Sequence, residues 1–334
     1  MFKTGLRSRL LGNISHQCSI EKILCWALFL VFMVGYWNYQ HLFILATYSG
    51  IGITRLTIIC LLVVLTLLPY SLSHRIRMSS QWYALAFCPS LIILALVANE
   101  QPDTTSIVGG AILILVFILL SIRPPLLNCP PIISNLCIII IATIATLLIS
   151  NTNELTHNRY KIENMLANHQ YEDALLVGAK SLNTDSAVFN LRAQAMIHTH
   201  QIGDKLFVYP IPASGTRIQF PDNDLDAVHD ILLCNLLLSK QLSKFANQLP
   251  QYYDLQAPSL PRHYKEALVL YLSTTANPAI KYSDVITDAN YHDFLSEKQK
   301  YSNTTEAANK CRQLYGDTYF WYYHYFNSED SQFK

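Results

Sequence analysis

Four arrangements in this chain come nearest to chemistry: His198-Thr199-His200 with Asp204, the pairs His229-Asp230 and His292-Asp293, and Arg262-His263 behind Pro261. Imidazoles beside carboxylates serve as metal ligands, or as a general base and the group that orients it. The spacing argues against both uses. Residues two apart on a helix diverge by about 200° at 3.6 residues per turn, so His198 and His200 do not face one ion. Structural zinc asks for four convergent ligands. Sequence neighbours point apart, so the His-Asp pairs read as surface pairs, and Arg262-His263 reads as a helix cap or an internal ion pair. The sequence holds no phosphate loop, dinucleotide fingerprint, Gly-x-Ser-x-Gly elbow or His-Glu-x-x-His run. No catalytic residue, metal site or cofactor is expected.

These residues sit in a region whose apolar positions recur at helical spacing. From Asn153 the pattern predicts a helix over 154–167, a turn at Asn168-His169-Gln170, and a second helix over 171–182. Tyr171-x-x-Ala174 resembles the close point of a tetratricopeptide-type helix pair, where a small residue lets two helices pack tightly. Asp185 can cap a third helix over 187–199, and Ile202-Gly203-Asp204 recurs 31 residues after Tyr171-Glu172-Asp173, within the range of helical-repeat periods. Prolines and a glycine make 208–222 a loop. Helices are then expected over 225–249 with a break near Ser239, from Pro261 with Ser259 as cap, over 288–301, and over 305–326. The last carries Tyr315, Tyr319, Tyr322 and Phe326 on one side and Phe320, Trp321, Tyr323 and Tyr325 on the others. Either the domain wraps around it, or its outer rings rest in the lipid headgroup layer.

The stretch Pro261-Arg262-His263-Tyr264-Lys265-Glu266-Ala267-Leu268 and the aromatic ending Tyr315-Gly316-Asp317-Thr318-Tyr319-Phe320-Trp321-Tyr322-Tyr323 resemble a family of multi-pass membrane proteins of Bacteroidetes-type bacteria. No activity is attached to that family. The resemblance implies an envelope protein of a two-membrane bacterium with a periplasmic domain, and marks Arg262, His263, Tyr264, Tyr319, Trp321 and Tyr322, beside Tyr171 and Ala174, as candidate interaction or packing residues.

Before Asn151 the composition is that of a membrane anchor. Apolar runs over 23–36, 51–70, 82–98, 107–122 and 132–149 predict about five spanning helices, the third kinked by Pro89. Gly109-Gly110 and Ala142 with Ala145 offer small faces for close helix approach. No Asp, Glu, Lys or His lies at mid-depth, which disfavours ion-coupled transport. Eight Lys/Arg stand against three Asp/Glu before Asn151, and sixteen against twenty after it. With the N-terminus cytoplasmic, Lys3, Arg7, Arg9, Lys22, Arg75, Arg77 and Arg123 collect on the cytoplasmic side of an inner membrane, and an odd number of spans places 151–334 in the periplasm. The acidic second half offers no footprint for nucleic acid. Six cysteines lie in or beside the apolar runs, and Cys234 with Cys311 reads equally as a disulfide or as two buried thiols.

The expected architecture is all-α: a transmembrane bundle over 1–150 and a soluble, tetratricopeptide-like domain over 151–334. The expected function is a membrane-tethered extracytoplasmic interaction scaffold, with membrane lipid and an envelope protein as partners. The alternative is a membrane enzyme or transport accessory acting on envelope glycans or lipids, which would show a polar pocket of converging His, Asp and Arg.

Overall fold

The structure is a computed structural model that describes residues 3–41, 55–75, 80–98, 104–122, 129–212, 217–219 and 228–326. Every regular element among the described residues is helical, and the chain divides into two compact units, 1–153 and 154–334.

The first unit contains α1 (Lys3–Tyr39), α2 (Arg55–Arg75), a 3-10 helix (Ser80–Phe87) continuing into α3 (Cys88–Val97), α4 (Thr104–Ile122) and α5 (Pro131–Ile149). Among the described residues three helical stretches are long and apolar enough to cross a membrane: Ile20–Tyr39, Ser80–Val97 and Pro131–Ile149. About five were expected. The other two helices, α2 of 21 residues and α4 of 19, each rise about 30 Å, close to the thickness of the hydrocarbon core, and carry the shorter apolar stretches Cys60–Arg75 and Ile107–Phe117.

Pro89 does not kink an α-helix. It lies in the first turn of α3, where a missing N–H is no loss, and the eight residues before it are wound as 3-10 helix. The tighter winding lengthens the element: eight residues at about 2.0 Å and ten at about 1.5 Å span roughly 31 Å. A 3-10 helix leaves backbone groups poorly paired, which apolar surroundings penalise. Buried Asn135 answers them, its Oδ1 accepting from Ala84 N at 2.9 Å and its Nδ2 donating to Ser80 O at 2.7 Å. Ser134 Oγ donates to Gln81 O, and Ser80 Oγ to Glu21 Oε2. At the far ends Tyr36 OH and Ser150 Oγ stand 2.5 Å apart, and Gln40 Nε2 donates to Asn151 O. The three long apolar stretches therefore run parallel. Gly109 and Gly110, on α4, are not points of forced close approach. A Cβ added to Gly109 would meet Ile149 at 3.5 Å and one on Gly110 would meet Leu96 at 3.8 Å, both ordinary contacts.

The second unit opens with three helical hairpins: α6 (Glu154–Ala167) with α7 (Tyr171–Leu176), α8 (Ser186–His198) with α9 (Ile202–Lys205), and α10 (Val228–Leu238) with α11 (Leu242–Gln248). One turn joins each pair. His169, His200 and Lys240 take φ of 57°, 55° and 55°, the left-handed conformation that ends a helix. The next residue is a glutamine each time, and its N–H reaches back to Met165, Met196 or Leu236 at 2.8 Å. Core positions keep the same register: Ile162, Ala193 and Leu233 stand seven residues before the turn residue, Leu175, Leu206 and Ala246 six after, and all are buried.

The unit ends with α12 (Arg262–Thr274), α13 (Val285–Gln299), α14 (Thr304–Tyr315) and α15 (Tyr319–Tyr325). Several expected boundaries move. The helix expected over 171–182 stops at Leu176, because Gly178 turns the chain at φ +59° and a Cβ there would lie 2.6 Å from Asn158 Nδ2. The helix expected over 305–326 breaks at 316–318, where Thr318 starts a new helix by accepting from Trp321 N. Helix α13 begins at Val285, capped by Asp284, rather than at Asp288. Ser259 does not cap α12; Asp204 Oδ1, from a different hairpin, accepts from Arg262 N at 2.6 Å. Expected features at 213–216 and 220–227 fall outside the described residues.

Candidate functional site

Among the described residues of the second unit, polar side chains converge in two places that involve α12. The first is built from Arg262, His263 and Glu266, one helical turn whose carboxylate is surrounded by donors. Glu266 Oε1 accepts from Arg262 Nε at 2.9 Å, and Oε2 accepts from His263 Nδ1 at 3.0 Å and Tyr319 N at 2.7 Å. His263 Nε2 faces the N–H of Phe207 at 3.4 Å, so Nε2 is the acceptor and the ring proton sits on Nδ1. Arg262 reaches on to Asp317 Oδ2 at 3.0 Å. His263 and Glu266 are buried, and the Arg262 side chain is 44% exposed. The group is a tie: it holds α12 to α9, the Phe207 turn and the start of α15.

Hydroxyl and sulfur groups make the second convergence. Asp230 Oδ1 accepts from Tyr253 OH at 2.7 Å and from Tyr264 OH at 2.8 Å, and Cys234 Sγ lies 3.5 Å from the Tyr264 hydroxyl. Burial first, then the hydrogen bond to Asp230 and its charge, pushes the Tyr253 phenol up. Burial likewise raises Tyr264 well above its usual range and the Cys234 thiol to about 12. All three are held protonated at neutral pH. The pair His229-Asp230 does not point apart as expected, since His229 Nε2 stands 3.7 Å from Asp230 Oδ2. The fold of the first turn of α10 over the 252–253 segment brings them together.

The remaining expected residues have structural placements. Tyr171 stacks on His198 at 4.5 Å and its hydroxyl meets His169 Nδ1 at 2.7 Å. Asp204 is spent on Arg262 N, so His198, His200 and Asp204 do not share a centre. Among the described residues no three His, Cys, Asp or Glu side chains are grouped to hold an ion. Ala174 is fully buried on α7, which packs against α6 and α8.

Most of the aromatic ending is core, with Tyr315, Tyr323 and Phe326 half-buried at its edge. Tyr319, Phe320, Trp321, Tyr322 and Tyr325 are buried, Trp321 at 8% exposure with its Nε1 donating to Ala308 O. Tyr319 and Tyr322 donate to Leu237 O and Leu238 O, the last carbonyls of α10. Lys240, the third turn residue, answers by donating to Tyr323 O and Phe326 O at the end of α15. The buried rings, Trp321 among them, therefore do not rest in headgroups: α12 and α14 pack against this seven-residue helix and the last carbonyls of α10 bond to it. Cys234 and Cys311 are separate free thiols, each beside a different tyrosine.

Sequence reasoning missed two residues. Arg192 is 1% exposed; its Nη2 donates to Val177 O and Gly178 O, and its charge lies 5.2 Å from the Tyr209 ring. Burial pulls its pKa down. Nothing at helical spacing separates this arginine from a surface one. Lys240 was hidden for the same reason.

Residues 221–327 match a protein family of unknown function, DUF6057. No curated protein matches the chain, and no solved structure does. The matched segment holds both polar convergences and the aromatic ending, and leaves out the first two hairpins.

Proposed function

We propose that this chain is an interaction scaffold tethered to the inner membrane of a two-membrane bacterium, with residues 154–334 presented in the periplasm to a segment of an envelope protein. The observation that carries this reading is the hairpin that returns three times in one register, at His169, His200 and Lys240. Helical hairpins stacked in register, as in tetratricopeptide repeats, build extended concave surfaces that take up peptide segments. Tyr171-x-x-Ala174 adds the close-packed point of such a pair. The runner-up, catalysis on envelope glycans or lipids, asks for an open pocket of His, Asp and Arg. Those residues meet at Arg262, His263 and Glu266, where they are consumed in holding helices together.

Three long apolar helices, with α2 and α4 returning the chain between them, supply the tether. Their parallel run supports an odd number of crossings between the basic N-terminus and Glu154, and the positive-inside rule then favours an extracytoplasmic second unit. Two measurements on the full chain in cells test the proposal. A phosphatase fused at Lys334 is expected to be active, and activity of a cytoplasm-only reporter there would overturn the topology. Photo-crosslinkers along α7 and α9 are expected to capture one envelope polypeptide in discrete adducts. Their absence at every position would overturn the scaffold.

A further inference from the structure

Asp230 stands in the first turn of α10 with its two oxygens in different circumstances. Oδ1 takes both phenol hydrogens, from Tyr253 and Tyr264, which fills its lone pairs. Oδ2 accepts no hydrogen bond among the described residues. Its ion-pair contact, His229 Nε2 at 3.7 Å, is beyond hydrogen-bonding range, and the Asp230 side chain keeps 18% exposure.

Aromatic side chains stand beside that carboxylate, Tyr253 reaching it through its hydroxyl and His229 through Nε2. The His229 imidazole stacks on the Tyr252 ring, with centroids 5.4 Å apart and planes 19° apart, and the Tyr253 ring centroid lies 5.8 Å from His229. Tyr252 is exposed. An unused carboxylate oxygen beside electron-rich rings is the chemistry that holds an organic cation, the charge meeting the acid and the polarised hydrogens meeting the ring faces. The twenty Asp/Glu against sixteen Lys/Arg after Ser150 give the surroundings the same sign preference.

We infer that Asp230, His229, Tyr252 and Tyr253 form a receptor for an alkylammonium group, supplied by a lysine side chain of a bound polypeptide or by a free primary amine. The inference stands on this cluster and does not need the scaffold. If the group is lysine's, it is one contact by which the scaffold holds its partner.

The test uses the full chain with meta-fluorotyrosine in place of tyrosine, in nanodiscs of phosphatidylglycerol, a lipid without an amine. Tyr252→Phe and Tyr253→Phe assign the two fluorine signals. The probes are butylammonium and Nα-acetyl-lysine methylamide, with the doubly acetylated lysine as uncharged control. Both cations are expected to shift the two signals saturably, and the control to leave them still. In Asp230→Asn the amide oxygen still accepts the two phenols, so the local fold persists while binding weakens by about tenfold, the scale of one charge-assisted contact. Tyr252→Ala, which touches neither Asp230 hydrogen bond, must weaken it as well. A lysine derivative that binds more tightly than butylammonium assigns the group to a polypeptide, and equal binding assigns it to a free amine. No saturable shift with either cation would overturn the receptor, as would equal titration of the parent and Asp230→Asn. Unchanged binding in Tyr252→Ala would overturn the part given to the rings.

Discussion

Glu266→Gln is the substitution whose outcome the geometry constrains most. All three partners of the Glu266 carboxylate are N–H donors: Arg262 Nε on one oxygen, His263 Nδ1 and Tyr319 N on the other. A glutamine has one oxygen and one NH2. Whichever way it flips, an N–H faces an N–H. The milder flip turns the NH2 toward Arg262, whose side chain is 44% exposed and can swing into water, and keeps the amide oxygen on His263 and Tyr319. One charge-assisted hydrogen bond is then lost and two become neutral ones. Two bonds that fall from about 1.5–2 kcal/mol to about 1, with about 1 kcal/mol for the Arg262 bond whose exposed donor regains water, bring the cost to about 2–3 kcal/mol. Arg262→Ala removes only the exposed end of the same network and is expected to cost about 1 kcal/mol or less. Alkylation of Cys234 and Cys311 on heating, located by mass spectrometry in the full chain, reports unfolding of the second unit alone, since both thiols are buried there. Glu266→Gln should lower the temperature of half-alkylation by roughly 4–12 °C, at about 2–4 °C per kcal/mol for a unit of this size. A shift within about 2 °C, or one smaller than that of Arg262→Ala, would refute the donor-convergence argument.

Two further outcomes are expected. Ala174→Leu puts three more carbons into the fully buried space between α6, α7 and α8, and should cost about 1–3 kcal/mol in the same alkylation assay; an unshifted curve would mean that α7 can move away without loss. His324 is held down to about 4 by burial, then by Lys298 and Lys240, against about 6.5 in the unfolded chain. Its contribution is therefore fully present above about pH 6.5 and is lost as pH falls toward 4. Discounted for partial exposure, the loss at pH 5 is about 1 kcal/mol. Urea unfolding followed by hydrogen exchange in α15 should show a fall in midpoint between pH 7 and pH 5 that His324→Phe flattens, and an equal fall in both proteins would remove His324 as its source.

The sequence by itself determined what periodicity and hydropathy encode. Long uncharged runs such as 132–149 have no other use than apolar surroundings, and side chains recurring at 3.6 residues, as in Tyr264, Ala267, Leu268 and Tyr271, settle on a helix wherever they lie. Strong local chemistry was legible too: Asp185 caps α8 as its position foretold, by accepting from Val188 N. Tertiary structure decided everything that depends on who stands opposite. The break near Ser239 was legible and falls between α10 and α11, but its identity with the two earlier turns was not, because its turn residue is Lys240 where the others have histidine. The 3-10 winding of Ser80–Phe87 persists because Asn135 on another helix answers its backbone, a partner 51 residues away from Ala84. A cap for α12 came from Asp204 rather than Ser259, and adjacent His229 and Asp230 meet because the segment carrying Tyr252 and Tyr253 folds over α10. Local sequence fixes which groups a helix presents, and only the packed neighbours fix which of them find a partner.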